Sequence, residues 1–114
     1  MSSPLRGEVF WVNLDPTVGS EIAKTRPAVV ISNNVGNQFA DRVIVAPITS
    51  ANAAKLYPFE VKVEAGEVGL VQPGKILLDQ IRTVDKKRLG VKLGMLPSAR
   101  VEEVNRAIRL SLAV

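Results

Sequence analysis

The sequence predicts a mainly β or α+β domain, a small twisted barrel of short strands with one terminal helix. Three observations carry this. Up to residue 95 the apolar residues come in short runs rich in β-branched side chains, separated by polar segments. After Pro97 the apolar period changes from 2 to 3.6. With 114 residues, 46% of them hydrophobic, the chain can fill one core but not two, so residues 1–114 are read as a single domain.

The elements follow in order. Residues 8–14 (EVFWVNL) are β-branched and aromatic and stop at Asp15-Pro16. Residues 28–31 (AVVI) follow Pro27, whose fixed φ sets the strand entry. The run 43–48 (VIVAPI) suits a strand buried on both faces. Pro47 donates no ladder hydrogen bond, so an edge or bulge is expected there. In 59–63, Phe59, Val61 and Val63 alternate with Glu60 and Lys62. A further strand is expected over 75–83, with Leu77, Asp79 and Ile81 on one side and Ile76, Leu78, Gln80 and Arg82 on the other. A shorter one is expected over 91–95, and Met95 and Leu96 are expected in the core. Ser98 is the expected N-cap of the helix. Its apolar stripe is Val101, Val104, Ile108 and Leu112, with Arg100, Glu103, Arg106 and Arg109 facing water.

Composition narrows the chemistry. There is no Cys and no His, which excludes disulfides, thiolate zinc sites, a cysteine nucleophile and imidazole catalysis. Chemistry must run on Arg, Lys, carboxylates and hydroxyls; no metal site and no cofactor is expected. No apolar run approaches a membrane span and no signal segment opens the chain. The expectation is a cytoplasmic protein without a membrane partner.

The net charge of +4 is uneven. Residues 1–60 carry five basic and five acidic groups. The excess lies beyond them, with Lys75, Arg82, Lys86, Lys87, Arg88 and Lys92 set against Asp79 and Asp85. Such a stretch can track a phosphate backbone, or it can be a solvated loop and a charged strand edge.

Two polar loops are candidate sites. Residues 15–25 make a long connection carrying Thr17, Ser20, Glu21 and Lys24, a set suited to a phosphate or sugar. Thr49 and Ser50 follow the run 43–48, where hydroxyls also serve as caps.

The residues 6–16 (RGEVFWVNLDP), Gly19-Ser20-Glu21, 24–32 (KTRPAVVIS), 45–50 (VAPITS) and 79–85 (DQIRTVD) resemble, in this order, the MazF/PemK toxin family over residues 6 to about 112. The resemblance implies an SH3-like twisted barrel of five to seven strands with a C-terminal helix. It implies a homodimeric, metal-independent endoribonuclease, the toxin of a type II toxin–antitoxin module, which cleaves single-stranded RNA at short sequences and is silenced by a cognate antitoxin. It implicates Arg26 and Thr49 as catalytic. Thr17, Ser20, Glu21, Lys24, Ser50 and Gln80 are the expected RNA-binding residues.

Metal-free RNA cleavage uses the neighbouring 2′-OH as nucleophile. It needs stabilisation of the charge on phosphorus and proton transfers to and from oxygen. Arg26 offers a fork of donors matched to two phosphate oxygens, but a guanidinium stays protonated and is a poor base. Thr49 can donate to a phosphate oxygen; Glu21 is a possible base if its loop folds over the site. Read singly, Arg26 is also consistent with a surface residue at a strand start, Thr49 with a turn cap and Gln80 with packing. Trp11 can stack a base, but its apolar strand favours core or dimer interface. The alternatives in function are a gyrase-poisoning toxin of the same fold and a non-catalytic nucleic-acid or protein adaptor.

Overall fold

In the computed structural model, which describes residues 3–114, β1 (Glu8–Asn13) and β2 (Thr25–Val30) pair antiparallel, placing Trp11 opposite Pro27 and Val12 opposite Arg26. The other strands are β3 (Arg42–Thr49), β4 (Glu60–Val63), β5 (Gly74–Leu77), β6 (Arg82–Asp85) and β7 (Leu89–Met95). They form one antiparallel sheet in the order β4-β5-β3-β2-β1-β7, with β6 also on β3. β4 and β7 end this path, so the sheet is not closed into the barrel the sequence suggested. Two helices complete the fold: α1 (Asn34–Phe39) and α2 (Ser98–Leu112), the latter packed against β4.

Alternation along the strands divides the buried residues into two clusters. Val9, Val29, Ala46, Ile48, Val61, Val63 and Ile76 meet Val104 and Ala107 of α2. Val12, Leu14, Ala28, Val30, Val43, Val45 and Val84 form the second. The central strands therefore bury both faces, as the run 43–48 predicted, except that Ile44 is exposed.

The stretch 75–83 is not one strand. Ile76 pairs with Ile48 and Arg82 pairs with Val45, so five residues on one side answer two on the other. The excess loops out at residues 78–81, and the chain turns a corner from β5 to β6. Ala46 and Pro47 of β3 lie in the gap between the two pairings, which is where an interruption was expected from Pro47.

Other expectations are corrected. The short helix α1 was not foreseen; Asn33 caps it by accepting a hydrogen bond from the Gly36 amide. At α2 the cap is Pro97, without a side-chain cap bond, rather than Ser98. The buried stripe of α2 is Val104 and Ala107, flanked by Val101 and Ile108; Leu112, the last residue of α2, is exposed. Arg100 is held in ion pairs instead of facing water. Leu96 is buried as expected, but Met95 is about half exposed, because β7 is an edge strand.

Candidate active site

Two strand ends build the site; Pro27 lies inside β2 opposite Trp11, so the strand starts two residues before the entry expected at that proline. β2 begins with Thr25 and Arg26, and β3 ends with Thr49, so the antiparallel pair of Ala28 with Pro47 brings these ends to one side of the sheet. Arg26 and Thr49 both line a cleft of about 420 Å³. The Arg26 Nε donates to the Ala23 carbonyl at 2.8 Å, which fixes the guanidinium through one nitrogen and leaves both Nη groups for a ligand. Thr49 is buried, and its Oγ1 accepts from the Ala51 amide at 3.1 Å, so its hydroxyl proton is free to be donated. Thr49 thus caps the turn and lines the cleft at once.

The same cleft receives Lys24 and Ser50. Lys24 has φ +72°, a left-handed conformation rare outside Gly, and its amide is held by Asp15 Oδ1 at 2.9 Å. Trp11 lines the cleft and is 41% exposed, so it is not a core residue. Period-2 alternation along β1 puts it on the face opposite Val12, which is buried in the second cluster.

The remaining candidates are not brought to this cleft. Thr17, Ser20 and Glu21 sit on the connection between β1 and β2 and are not among the cleft-lining residues. The Glu21 carboxylate accepts from the Val18 amide at 2.7 Å and so bends back on its own loop. Gln80 supports this loop from the β5–β6 corner, its Oε1 accepting from the Ile22 amide at 2.7 Å. One role of Gln80 is therefore to hold the loop.

The basic stretch is mostly structural. Lys75 is buried against Glu60, with Nζ 3.0 Å from its carboxylate. Arg82 donates to the Leu14 carbonyl, and Arg88 to the carbonyls of Asn13 and Asp15. Lys92 pairs with Glu8 at 2.9 Å. Four of the six cations thus brace the start of the β1–β2 connection or the sheet itself, and only Lys86 and Lys87 lack an ion pair or side-chain hydrogen bond among the described residues. A continuous phosphate track along this stretch is not what the fold builds.

The far wall of the cleft is residues 69–74, between a 3₁₀ turn (Glu67–Gly69) and β5. Sequence reasoning passed over it. The available signal was Gly69 followed by Pro73-Gly74, punctuation that marks an exposed loop. Leu70 and Val71 make this wall apolar, and Gln72 adds an amide. Behind it, Arg100 forms a two-bond contact with Glu67. That hydrogen-bonded guanidinium holds the Glu67 carboxyl below its ordinary value and the carboxylate raises Arg100 further. Among the described residues, no group of three or more His, Cys, Asp or Glu side chains could hold a metal ion.

Residues 5–112 match the family described as PemK-like, MazF-like toxin of type II toxin–antitoxin systems. The chain belongs to this family. The toxin is 44% identical over 110 residues to an endoribonuclease MazF from Staphylococcus saprophyticus, covering 96% of this chain and 91% of that one. Its fold superposes on the crystal structure of MazF from Deinococcus radiodurans with a TM-score of 0.86 at 31% identity, over the full length of both chains. It also superposes on a mycobacterial endoribonuclease solved in complex with its cognate antitoxin, with a TM-score of 0.82 at 25% identity, over 98% of this chain and 97% of that one. Among the described residues no helix is long and apolar enough to cross a membrane.

Proposed function

We propose that this toxin is a sequence-specific, metal-independent endoribonuclease acting on single-stranded RNA in the cytoplasm, with residues 1–114 working as one catalytic domain. The observation that carries the reading is the meeting of Arg26 and Thr49 on one cleft, in a chain of a toxin family whose named relatives are endoribonucleases.

In the proposed reaction the 2′-oxygen attacks the adjacent phosphorus and the P–O5′ bond breaks. The products are a 2′,3′-cyclic phosphate and a 5′-hydroxyl. One proton moves in net from the 2′-OH to the 5′-oxygen. The free Nη groups of Arg26 donate to the non-bridging oxygens as negative charge builds on them, which lowers the barrier because the donors are already in place. The Thr49 hydroxyl donates to the same phosphate and helps hold the 2′-oxygen in line. Lys24 and Ser50 bind flanking backbone, while Thr17, Ser20, Glu21 and Gln80 act through the loop, which orders over the strand. Two copies pair, and the cognate antitoxin fills the cleft with an acidic, partly apolar segment. Lys24 and Arg26 beside Trp11, Leu70 and Val71 are complementary to such a segment.

The test is cleavage of a long, weakly structured RNA in EDTA, with sequencing of the 5′-hydroxyl ends. Discrete cuts at one short sequence are expected, reduced about 10³-fold in Arg26→Ala, the order found when a charge-stabilising donor is removed. A fully active, folded Arg26→Ala protein would overturn the assignment of the site.

A further inference from the structure

We propose that Arg100 and Glu67 are positioning residues: their ion pair clasps the far wall of the cleft to α2 and thereby sets the surface that receives a base of the RNA strand. This deepens the functional reading above and rests on it for the identity of the ligand.

The wall begins from a conformation that does not hold itself. Val68 has φ 44° and ψ 35°, and Gly69 follows at φ 76°. A β-branched residue in the left-handed region is a genuine outlier and persists only where its surroundings determine it. Here they do so from two directions. Towards β7, Gly94 leaves space for Val68: a Cβ on Gly94 would stand 3.2 Å from the Val68 Cα. A Cβ on Gly69 would likewise stand 3.1 Å from the Leu93 carbonyl oxygen. Towards α2, the Glu67 carboxylate accepts from Arg100 Nη2 at 2.9 Å and Nε at 3.2 Å, and from the Glu64 amide at 2.8 Å. Glu103 holds Arg100 from the other side at 3.0 Å. The turn is closed by the Leu70 amide donating to the Glu67 carbonyl and the Gly66 amide donating to the Leu70 carbonyl.

The pair is partly shielded, with side chains 22% and 20% exposed, and the two-bond fork fixes direction as well as distance. No residue of α2 lines the cleft, so the clasp connects the helix to a wall it does not itself reach. What that wall offers is apolar surface from Leu70 and Val71 together with the Gln72 amide, while the cationic groups Lys24 and Arg26 stand elsewhere on the cleft. An apolar platform with one donor–acceptor side chain matches an unstacked nucleobase better than a phosphate. The clasp therefore acts on substrate binding, and the phosphate chemistry is left to Arg26 and Thr49.

The experiment compares the intact protein with Arg100→Ala, Arg100→Lys and Glu67→Gln. It reads steady-state cleavage of a short single-stranded RNA containing the cut site and amide hydrogen exchange. Arg100→Ala and Glu67→Gln are expected to raise KM about tenfold with kcat within about twofold, because the wall is displaced while the phosphate site stays in place. Exchange at Leu70 and Gly66 is expected to quicken by about tenfold, with the amides of β2 and β3 unchanged. Arg100→Lys keeps the charge but loses the fork, and is expected to fall between. Unchanged KM or unchanged wall exchange in the folded variants would overturn the proposal. So would equal loss of protection across β2 and β3, which would make the pair a general staple of the fold. If the intact protein cuts no RNA, the nuclease reading fails instead, and the exchange at Leu70 and Gly66 still decides the clasp.

Discussion

Replacing Lys75 with Met should destabilise this protein by about 3 kcal/mol, because it strands a buried carboxylate. Lys75 and Glu60 sit on neighbouring strands, with side chains 7% and 6% exposed and Nζ 3.0 Å from the carboxylate. Met keeps the length of the side chain and its apolar stem but removes the ammonium. It also removes the donor to the Lys55 carbonyl at 3.0 Å. Breaking a buried pair from one side costs about 3–5 kcal/mol. The lower end applies because the Glu60 carboxylate keeps one partner, the Tyr57 amide at 2.9 Å. For a domain of this size the loss corresponds to a fall in Tm of roughly 12 °C, and to a large share of the stability a small domain has. The assay is urea unfolding at pH 7 and fixed protein concentration, since a pairing protein gains apparent stability with concentration. The double variant Lys75→Met/Glu60→Leu should recover at least half of the loss, because an apolar pair of similar volume fills the site without desolvated charge. A single variant within about 0.5 kcal/mol of the parent, the range of ordinary surface substitutions, would refute the reasoning.

Three further outcomes are expected. Gly74→Ala should slow cleavage about tenfold in a protein that still folds, since its Cβ would stand 3.0 Å from the Thr49 carbonyl oxygen and 3.1 Å from Ile48 Cγ2 and would shift Thr49 by a fraction of an ångström; single-turnover rates measure it. Gln80→Leu should cost about 1 kcal/mol and speed amide exchange at Ile22, because the 2.7 Å bond to that amide is lost; retained protection at Ile22 would contradict the bracing role. Stability should fall in acid partly through Glu67. Its folded carboxyl lies below the ordinary value of 4.5 because Arg100 hydrogen-bonds the ionised form, so this stabilisation is complete above that value and disappears as pH drops through the lower, folded one. The difference in urea midpoint between the parent and Glu67→Gln should therefore narrow between pH 7 and pH 3.

Local order was legible where one physical term dominates. The β-branched run ended by Asp15-Pro16 marked β1, the apolar run after Pro27 marked most of β2, and the change to a 3.6 period after Pro97 marked α2, because backbone sterics and side-chain period act over a few residues. Arg26 and Thr49, the catalytic candidates singled out through their motifs, both line the cleft. The corner at residues 78–81 was not, because it follows from β5 and β6 sharing one edge of β3, and the register of distant strands is written in no local pattern. Nor was the fate of the charges. A row of Lys and Arg reads alike whether solvated, bound to phosphate or paired. Lys92 with Glu8, 84 residues away, and Arg100 with Glu67, 33 away, are settled only when folding brings them together. Trp11 shows the same limit: β1 alternates by sequence, but only the fold brings Trp11 to the cleft that residues 69–74 also line. The sequence by itself determined the strands, the helix and the chemistry available. The tertiary structure decided which side chains meet, because desolvation and pairing depend on neighbours that the chain supplies from far along its length.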